Sequence, residues 1–476
     1  MRTPSVHLST LAALLSFSAA GSPAFATTLY WGQTTYSSGS IYNGNAATAA
    51  NWFTDAAGTA VSSASPHATN ATDDLFFNTT PANAVGGTVT VGASFSANSI
   101  TFNTSSATLL SQSGNQNLIL GGGGLALGAS SGAVNVGTST NTLSVRVASA
   151  QTWTNSSAST LTVRALTSNT GSGATALTLS AASTGGISFS LNVNDTEADQ
   201  LALVIDSAGS GLTTLNGTAN TYRGGTTIKR GALSAYGSLG SGAVLLGDTT
   251  GSSNATLNVR SATASPFTNN ITVRSGSSGT KTLTTNATGG VVLNGTLTLN
   301  DNLTFTASTA GTFNGVISGT GNLVKGGTAA LALSAANTFS GNLTINTGAF
   351  TLTETTGALT FYIGANGMTN QVNGATTGAV AFNGTFNLNL TGASLVDGNS
   401  WTLVSLAATA ETYGTKFALA GFTQSDNLWT NGAGLTFSEL TGVLSYSAVP
   451  EPSTYALLGG VTTLLLAFGR RRNTRA

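Results

Sequence analysis

The chain has 476 residues, 6% of them charged, with 60 glycines, no cysteine and a formal net charge of zero. The lack of cysteine excludes disulfides and thiolate metal sites, and the shortage of Lys and Glu disfavours surface helices because these residues are strong helix formers. Five of the 15 basic residues lie at the two ends, which leaves 10 basic residues against 14 or 15 acidic ones in the body and no basic patch for nucleic acid.

The N-terminus has the three parts of a secretory signal peptide. Arg2 supplies a basic start, Leu8 to Ala20 an apolar stretch, and Ala24 and Ala26 the small residues that a signal peptidase requires. The pattern predicts a signal peptide over residues 1–26, cleavage after Ala26 and passage through a Sec-type export machinery. The alternative interpretation is a buried N-terminal helix.

The segment between the two ends consists of short runs in which apolar and polar residues alternate. Clear examples are Gly87 to Gly92, Leu177 to Ser180 and Leu297 to Asn300. Alternation with a period of two indicates half-buried strands, and turn residues recur roughly every 8 to 12 positions. Helical periodicity is not found outside the termini, so we predict an all-β body.

Two stretches of the body share a pattern of Asn, an aromatic residue, Gly, Thr-Ile and a second Gly. The shared positions are Asn220, Gly224, Thr227, Ile228 and Gly231 in the first copy and Asn337, Gly341, Thr344, Ile345 and Gly348 in the second. The stretches 212–247 and 315–352 resemble the autotransporter-associated β-strand repeat, which implies an exported protein with a right-handed parallel β-helix.

A solenoid suits this pattern, because each rung can bury its inward face only against the next rung. The glycines would then allow corner conformations that residues with a β-carbon resist. We expect Asn220 and Asn337 to stack or to bond to the backbone at a corner, with an ordinary turn as the alternative.

The body is predicted to have two parts. Residues 27–354 form the β-solenoid, and its aromatic N-terminal segment from Trp31 to Phe53 is expected to cap the open apolar end. Residues 355–448, which include Trp401 and Trp429, form an antiparallel β cap or a small sandwich.

The C-terminus combines a short motif, an apolar run and a cluster of arginines. In chain order these are Val449, Pro450, Glu451 and Pro452, the run from Tyr455 to Gly469, and Arg470, Arg471 and Arg472. The run is shorter than the roughly 20 residues that span a bilayer, and alone it suggests a weak tail anchor with the arginines on the cytoplasmic side.

The order of these parts over residues 449–476 resembles the PEP-CTERM sorting signal. The resemblance implies a short transmembrane helix that contacts the inner membrane transiently. It also implies processing by an exosortase-like membrane enzyme, which releases or transfers the protein to the cell exterior.

The titratable residues give little support for catalysis. His67 is the only histidine left after signal cleavage, and no nucleophile elbow accompanies it. Asp195, Glu197 and Asp199 form the one dense acidic cluster, whose alternate spacing would place three oxygen ligands for Ca²⁺ on one side of a strand or loop. A solvated loop is the preferred interpretation of this cluster, so no cofactor is predicted.

These observations favour an exported structural or adhesive protein of the cell surface or extracellular matrix, which is not an enzyme. The alternative is a β-helix that binds or degrades extracellular polysaccharide with paired carboxylates. An autotransporter is disfavoured, because self-transport requires a different C-terminal element from the single apolar run found here.

Overall fold

In the computed structural model the described residues are 28–31, 52–53, 72–78, 86–91, 94–111, 116–138, 143–169, 171, 173–195, 199–261, 265–407, 411–449 and 461. They form an all-β solenoid, in which the strands of each turn pair in parallel with the strands of the turn before. The chain passes through three faces in every turn, which we number in the order of passage.

The first face carries the longest ladder. Its strands are β1 (Thr28–Trp31), β3 (Asp74–Asn78), β5 (Phe95–Asn103), β7 (Gln116–Leu127), β10 (Gln151–Asn155), β13 (Ala174–Ala181), β16 (Gln200–Asp206), β18 (Thr226–Ala235), β19 (Val244–Leu246), β21 (Ile271–Val273), β24 (Leu297–Leu299), β27 (Ile317–Gly319), β30 (Ala336–Asn337), β33 (Ala358–Tyr362), β36 (Thr385–Asn389) and β40 (Ala418–Leu419).

The second and third faces complete each turn. The second face has β4 (Gly86–Val91), β6 (Ser106–Ser111), β8 (Val134–Val136), β11 (Leu161–Val163), β14 (Ile187–Phe189), β17 (Leu212–Leu215), β20 (Ala255–Val259), β22 (Lys281–Thr285), β25 (Leu303–Ala307), β28 (Leu323–Gly326), β31 (Leu343–Ile345), β34 (Val372–Gly374) and β38 (Val404–Leu406). The third has β9 (Leu143–Val147), β12 (Ala165–Ser168), β15 (Val193–Asn194), β23 (Val291–Leu293), β26 (Gly311–Phe313), β29 (Leu331–Leu333), β32 (Phe350–Leu352), β35 (Val380–Phe382) and β39 (Thr412–Tyr413).

Three long strands turn a corner without interruption. The first halves of β5 and β7 pair on the third face and their second halves on the first. In β18, residues 226–228 pair on the first face and residues 231–235 on the second. The middle of the third face has single bridges in place of strands, at Ala219–Ser238 and Phe267–Leu293.

Burial follows the alternation that is visible in the sequence. In β20 the side chains of Ala255, Leu257 and Val259 are buried, and those of Thr256 and Asn258 between them are half-buried. Successive side chains of a strand point to opposite sides of the sheet, so the apolar residues fill the interior and the polar residues face outward.

The interior is built from continuous files of stacked side chains. On the first face one file pairs residue with residue through consecutive turns and contains Leu29, Leu75, Ile100, Leu125, Trp153, Leu179, Ile205, Ile228, Leu246, Val273, Leu299 and Gly319. All of its apolar members are at most 1% exposed. Burial of each such side chain contributes about 1.5–3 kcal/mol relative to its exposure, so this file holds the turns together.

The solenoid extends beyond residue 355, where the sequence suggested a different β region. Parallel pairing continues there on all three faces, up to Leu406, Tyr413 and Leu419. The reason is that the loops lengthen after residue 355 while the strands keep the same inward pattern, as the pairing of Leu352 with Phe382 on the third face shows.

An antiparallel sheet closes the C-terminal end of the solenoid. It contains β37 (Ser400–Thr402), β41 (Thr423–Ser425), β42 (Leu428–Thr430), β43 (Leu435–Ser438) and β44 (Val443–Tyr446), in the order β37-β44-β43-β42-β41. Phe417 lies between the last turn and this sheet, with ring centroids 4.9 Å from Phe386 and 5.4 Å from Trp429. The sheet therefore shares the solenoid core and acts as its cap.

The two ends of the chain are described only in part. Near the N-terminus β2 (Trp52–Phe53) pairs antiparallel with β1, and the ring of Tyr30 stacks on Phe76 at 5.2 Å. The helix predicted between Tyr455 and Gly469 lies outside the described residues except for Val461, whose backbone is helical. Within the described part of the chain, no helix has the length and apolar character needed to cross a membrane.

We expect Leu246→Ala to lower the free energy of unfolding by about 2–5 kcal/mol, because it leaves a cavity in the first-face file. Leu245→Ala is the matched control, since Leu245 is the neighbouring outward residue of β19 and is only half-buried. Denaturant unfolding of both variants measures the difference. Equal losses would contradict the assignment of inward and outward positions.

Candidate functional site

A row of uncharged and mostly polar side chains lies on the outer side of the second face. On the second face Thr256, Thr282 and Thr304 pair across β20, β22 and β25, and Thr344 follows beyond Val324. Neighbouring strands lie about 4.7–4.9 Å apart, so the threonine hydroxyls repeat at that interval. Such a surface offers many hydrogen bonds but no acid, base or nucleophile activated for chemistry.

Asn337 joins three successive turns through its side-chain amide. Its Oδ1 accepts a hydrogen bond from the N–H of Ile317 at 2.9 Å, and its Nδ2 donates to the carbonyls of Ala335 at 2.8 Å and Ala358 at 3.1 Å. The residue is 1% exposed. Because buried backbone groups without partners are costly, the bond to the N–H of Ile317 matters most, since the carbonyl of Ala335 also accepts the N–H of Ala358 at 2.9 Å.

Asn220 makes the same kind of bridge in the first copy of the motif. Its Oδ1 accepts from the N–H of Val193 at 2.8 Å, and its Nδ2 donates to the carbonyls of Gly217 and Ser238, both at 3.0 Å. The turn below, its own turn and the turn above are again joined. The two motif asparagines are therefore structural bridges at corners.

Asn269 is a third bridging asparagine, which the sequence analysis missed. Its Oδ1 accepts from the N–H of Leu239 at 2.7 Å, and its Nδ2 donates to three carbonyls, including that of Gly240 at 3.0 Å. The only signal in the sequence is an Asn shortly before an apolar strand, since Ile271 and Val273 occupy the positions at which the motif has an aromatic residue and a Gly.

The motif glycines are required by close contacts between turns. Gly231 and Gly348 have positive φ angles of 85° and 75°, which residues with a β-carbon rarely adopt. A β-carbon on Gly224 would lie 2.7 Å from the backbone of Leu201, and one on Gly341 would lie 2.2 Å from the carbonyl oxygen of Gly321. Each position therefore admits no side chain.

The two copies of the motif lie on different faces of the solenoid. Thr227 and Ile228 pair with Leu245 and Leu246 on the first face. Thr344 and Ile345 pair on the second face, where Ile345 stacks on Lys325. Each copy of the repeat therefore comprises one face and one corner. Relative to the first copy, the second copy is shifted by one face around the solenoid axis.

The acidic cluster was expected to be a solvated loop, with a Ca²⁺ site as the alternative, but the side chains of Asp195 and Asp199 are buried and hydrogen-bonded to other parts of the chain. Asp195, whose side chain is 2% exposed, forms an ion pair with Nε of Arg223 at 3.2 Å and accepts the N–H of Arg223 at 2.8 Å. Asp199 accepts the backbone N–H groups of Gly171 at 3.1 Å and Gly173 at 2.6 Å. Glu197 lies outside the described residues.

The oxygens of Asp195 and Asp199 thus point at donors, which is the opposite of what a cation requires. Within the described part of the chain, no group of three or more His, Asp or Glu side chains is arranged to hold a metal ion.

Two lysines occupy inward positions that normally hold apolar residues. Lys325 is 0% exposed and stacks between Phe305 and Ile345. Its Nζ donates to the carbonyls of Gly326 at 3.0 Å and of Gly327 and Thr347 at 2.8 Å. Burial lowers the pKa of Lys325 to about 8, and the three carbonyl acceptors offset part of the cost of burying the ammonium group.

Lys281 is 3% exposed and is paired with a carboxylate on the next turn. Its Nζ lies 2.7 Å from Oδ2 of Asp301 and also donates to the carbonyl of Ser277. Burial by itself raises the pKa of Asp301, but hydrogen bonds from Lys281 and from the N–H of Asn302 outweigh it, and the pKa falls below its usual value. Both lysines therefore bond to groups of the solenoid itself.

A cavity of about 680 Å³ lies where the last turns meet the antiparallel cap, and two carboxylates, Glu411 and Glu439, line it. Oε1 of Glu439 accepts hydrogen bonds from Nε1 of Trp429 at 2.7 Å and Nε2 of Gln424 at 3.1 Å. Burial raises the pKa of Tyr413, and the charges of the two glutamates raise it further. Two carboxylates therefore line the same cavity.

Several predicted residues cannot be located. The signal-cleavage residues Ala24 and Ala26, the motif residues Pro450, Glu451 and Pro452, and the arginines Arg470, Arg471 and Arg472 lie outside the described residues. Val449 is described and is 57% exposed. It follows the last hydrogen bond of the body, which the N–H of Ala448 donates to Oδ1 of Asp397 at 2.9 Å.

Comparison with known proteins adds no relative: no family model, no curated protein and no solved structure matches this chain. The structural description of the site therefore rests on this chain alone.

We expect Asn337→Ala to lower the free energy of unfolding by about 1–3 kcal/mol, because it leaves the N–H of Ile317 buried without its partner and removes two hydrogen bonds to carbonyls. Asn346→Ala is the control, since Asn346 is exposed and exposed substitutions usually change stability by less than about 0.5 kcal/mol. Urea unfolding of both variants measures the effect. A loss no larger in Asn337→Ala than in the control would show that the bridge is dispensable.

Proposed function

We propose that this chain is an exported structural or adhesive protein of the cell surface or extracellular matrix. The observation that carries the proposal is the uninterrupted stack of turns, whose outer positions repeat uncharged hydroxyl groups such as those of Thr256, Thr282 and Thr304. A stack of this kind is extended and presents its surface along its whole length. Adhesion would arise from many weak hydrogen bonds along the rod.

Export and sorting complete the proposal. The chain would leave the cytoplasm through a Sec-type machinery, lose residues 1–26, and be held briefly at the inner membrane by a helix within residues 455–469. An exosortase-like enzyme would then cut near Pro450 and Pro452. The exposure of Val449 supports this order, because a processing enzyme would have to reach the chain beside this residue. The solenoid of this proposal is right-handed, as in the repeat family that the motif resembles.

The test is the intact mass of the protein recovered from the exterior of its native cells. We expect a mass that lacks residues 1–26 and the segment after the Pro-Glu-Pro motif, because both are sorting signals. A Pro450→Ala/Pro452→Ala variant should remain in the membrane fraction with its tail attached.

The matched control for that variant is Pro266→Ala, which removes a proline of the body and leaves the tail unchanged. An exterior protein that keeps the arginine-rich tail would contradict sorting by processing. The same fractionation of both variants separates a processing defect from a folding defect.

A second candidate function is the degradation of polysaccharide, which the cavity at the cap favours. Glycoside hydrolysis uses two carboxyl groups placed on either side of the bond that is cut, and Glu411 and Glu439 line the same cavity. The hydrogen bonds from Trp429 and Gln424 would hold the carboxylate of Glu439 in position.

This second function predicts that the mature protein releases reducing ends from a polysaccharide and that Glu439→Gln lowers the rate by about 10²–10⁴-fold. Glu354→Gln is the control, because Glu354 is exposed and lies outside the cavity. Release of reducing ends that is equal in both variants, or absent from the wild type, would eliminate this function.

A further inference from the structure

The segment that connects the first face to the second differs in length from turn to turn. Residues 207–211 form a loop between β16 and β17, and residues 247–254 form a longer loop between β19 and β20. In the turn between them β18 crosses the corner as one continuous strand. Because the middle turn lacks a loop, a notch of about 380 Å³ opens between the two loops.

A bulge in β18 forms the floor of the notch. Ile228 pairs with Ile205, but Asp206 pairs with Arg230, so Lys229 is an additional residue in the strand. Bulges of this kind redirect side chains and are frequent beside functional sites. Here the bulge allows Arg230 to line the notch.

Gly231 allows two turns to approach each other closely at the floor of the notch. Its φ angle is 85°, and a β-carbon at this position would lie 2.6 Å from Cβ of Ser207. The glycine shared by the two motif copies therefore lets the turn carrying Arg230 approach the turn below. A larger residue would separate these turns and deform the notch.

Arg230 is the charged residue that lines the notch, and its charge is balanced by Asp206, which lies beside the lining. Nε of Arg230 forms an ion pair with Oδ1 of Asp206, and the two side chains are 40% and 30% exposed. The guanidinium has further N–H donors and the carboxylate further acceptor sites. Ser252, Ser253 and Asn254 on the opposite wall are exposed and add hydroxyl and amide groups.

We propose that this notch binds one sugar unit of an uncharged polysaccharide. A donor beside an acceptor, as in the Arg230–Asp206 pair, matches adjacent hydroxyl groups of a sugar ring, which both accept and donate hydrogen bonds. A ligand of either charge would be opposed by one member of the pair. The volume lies at the lower end of the range for small-ligand sites, which suits a single ring.

This site adds a ligand class to the adhesive function proposed above. It rests on that function, because the protein must be outside the cell to meet the polymer. Binding by one notch is expected to be weak, because few groups take part and each hydrogen bond replaces one with water. A polymer bound by many molecules on a surface would nevertheless be held firmly, since linked sites raise the effective concentration.

The experiment is native gel electrophoresis of the mature protein in gels that contain dextran, mannan, galactomannan or, as an anionic comparison, polygalacturonate. We expect retardation by at least one of the three neutral polymers and none by polygalacturonate. Asp206→Asn/Arg230→Gln preserves the charge balance and should weaken binding at least 10-fold. Ser253→Trp, which fills the notch, should weaken it similarly.

Matched controls come from the next loop at the same corner. Arg274→Gln and Ser278→Trp lie outside the notch lining and should leave binding unchanged. Retardation by polygalacturonate alone, by none of the neutral polymers, or equally in the notch variants and the controls would overturn the proposal. Because purified protein is used, failure here leaves the export test by intact mass unaffected, and the two proposals fail separately.

Discussion

Every feature of this protein depends on the spacing between consecutive turns. Parallel strands must lie about 4.7–4.9 Å apart to share hydrogen bonds, so each inward side chain stacks directly on its counterpart in the turn below. A file such as that from Leu29 to Leu299 is the result. The same spacing leaves no room for a β-carbon at Gly224 and Gly341. It also brings the side-chain amides of Asn220 and Asn337 within hydrogen-bonding distance of three turns.

The sequence allowed the all-β class and the stacking of turns to be predicted, because alternation reports directly which side chains are inward. The predicted end of the solenoid at residue 355 was wrong, because loops that lengthen without a change in the inward pattern look like the start of another domain. The sequence also did not reveal that Lys281 and Lys325 are buried. Their burial depends in part on the next turn, which supplies the carboxylate of Asp301 and the carbonyl of Thr347, and sequence alone does not show which turns meet.

The candidate sites were less predictable for a related reason. The sequence favoured a solvated loop at Asp195 and Asp199 over a cation site, but both are buried, and their partners are Gly171, Gly173 and Arg223, in the turns on either side. The notch at Arg230 is likewise a difference between neighbouring loops and has no motif of its own. Such sites are properties of the stack, and they become visible only when the pairing of turns is known.

The displacement of the two motif copies by one face has a consequence for how such a rod can grow. All three faces accept the same pattern of inward and outward residues, so a segment that encodes a single side and its corner fits wherever it is inserted. Every later side then moves to the neighbouring face without losing its core contacts. Each such insertion would lengthen the chain and rotate every later surface group by one third of a revolution about the axis. A slightly longer rod could therefore present its binding groups on a different side.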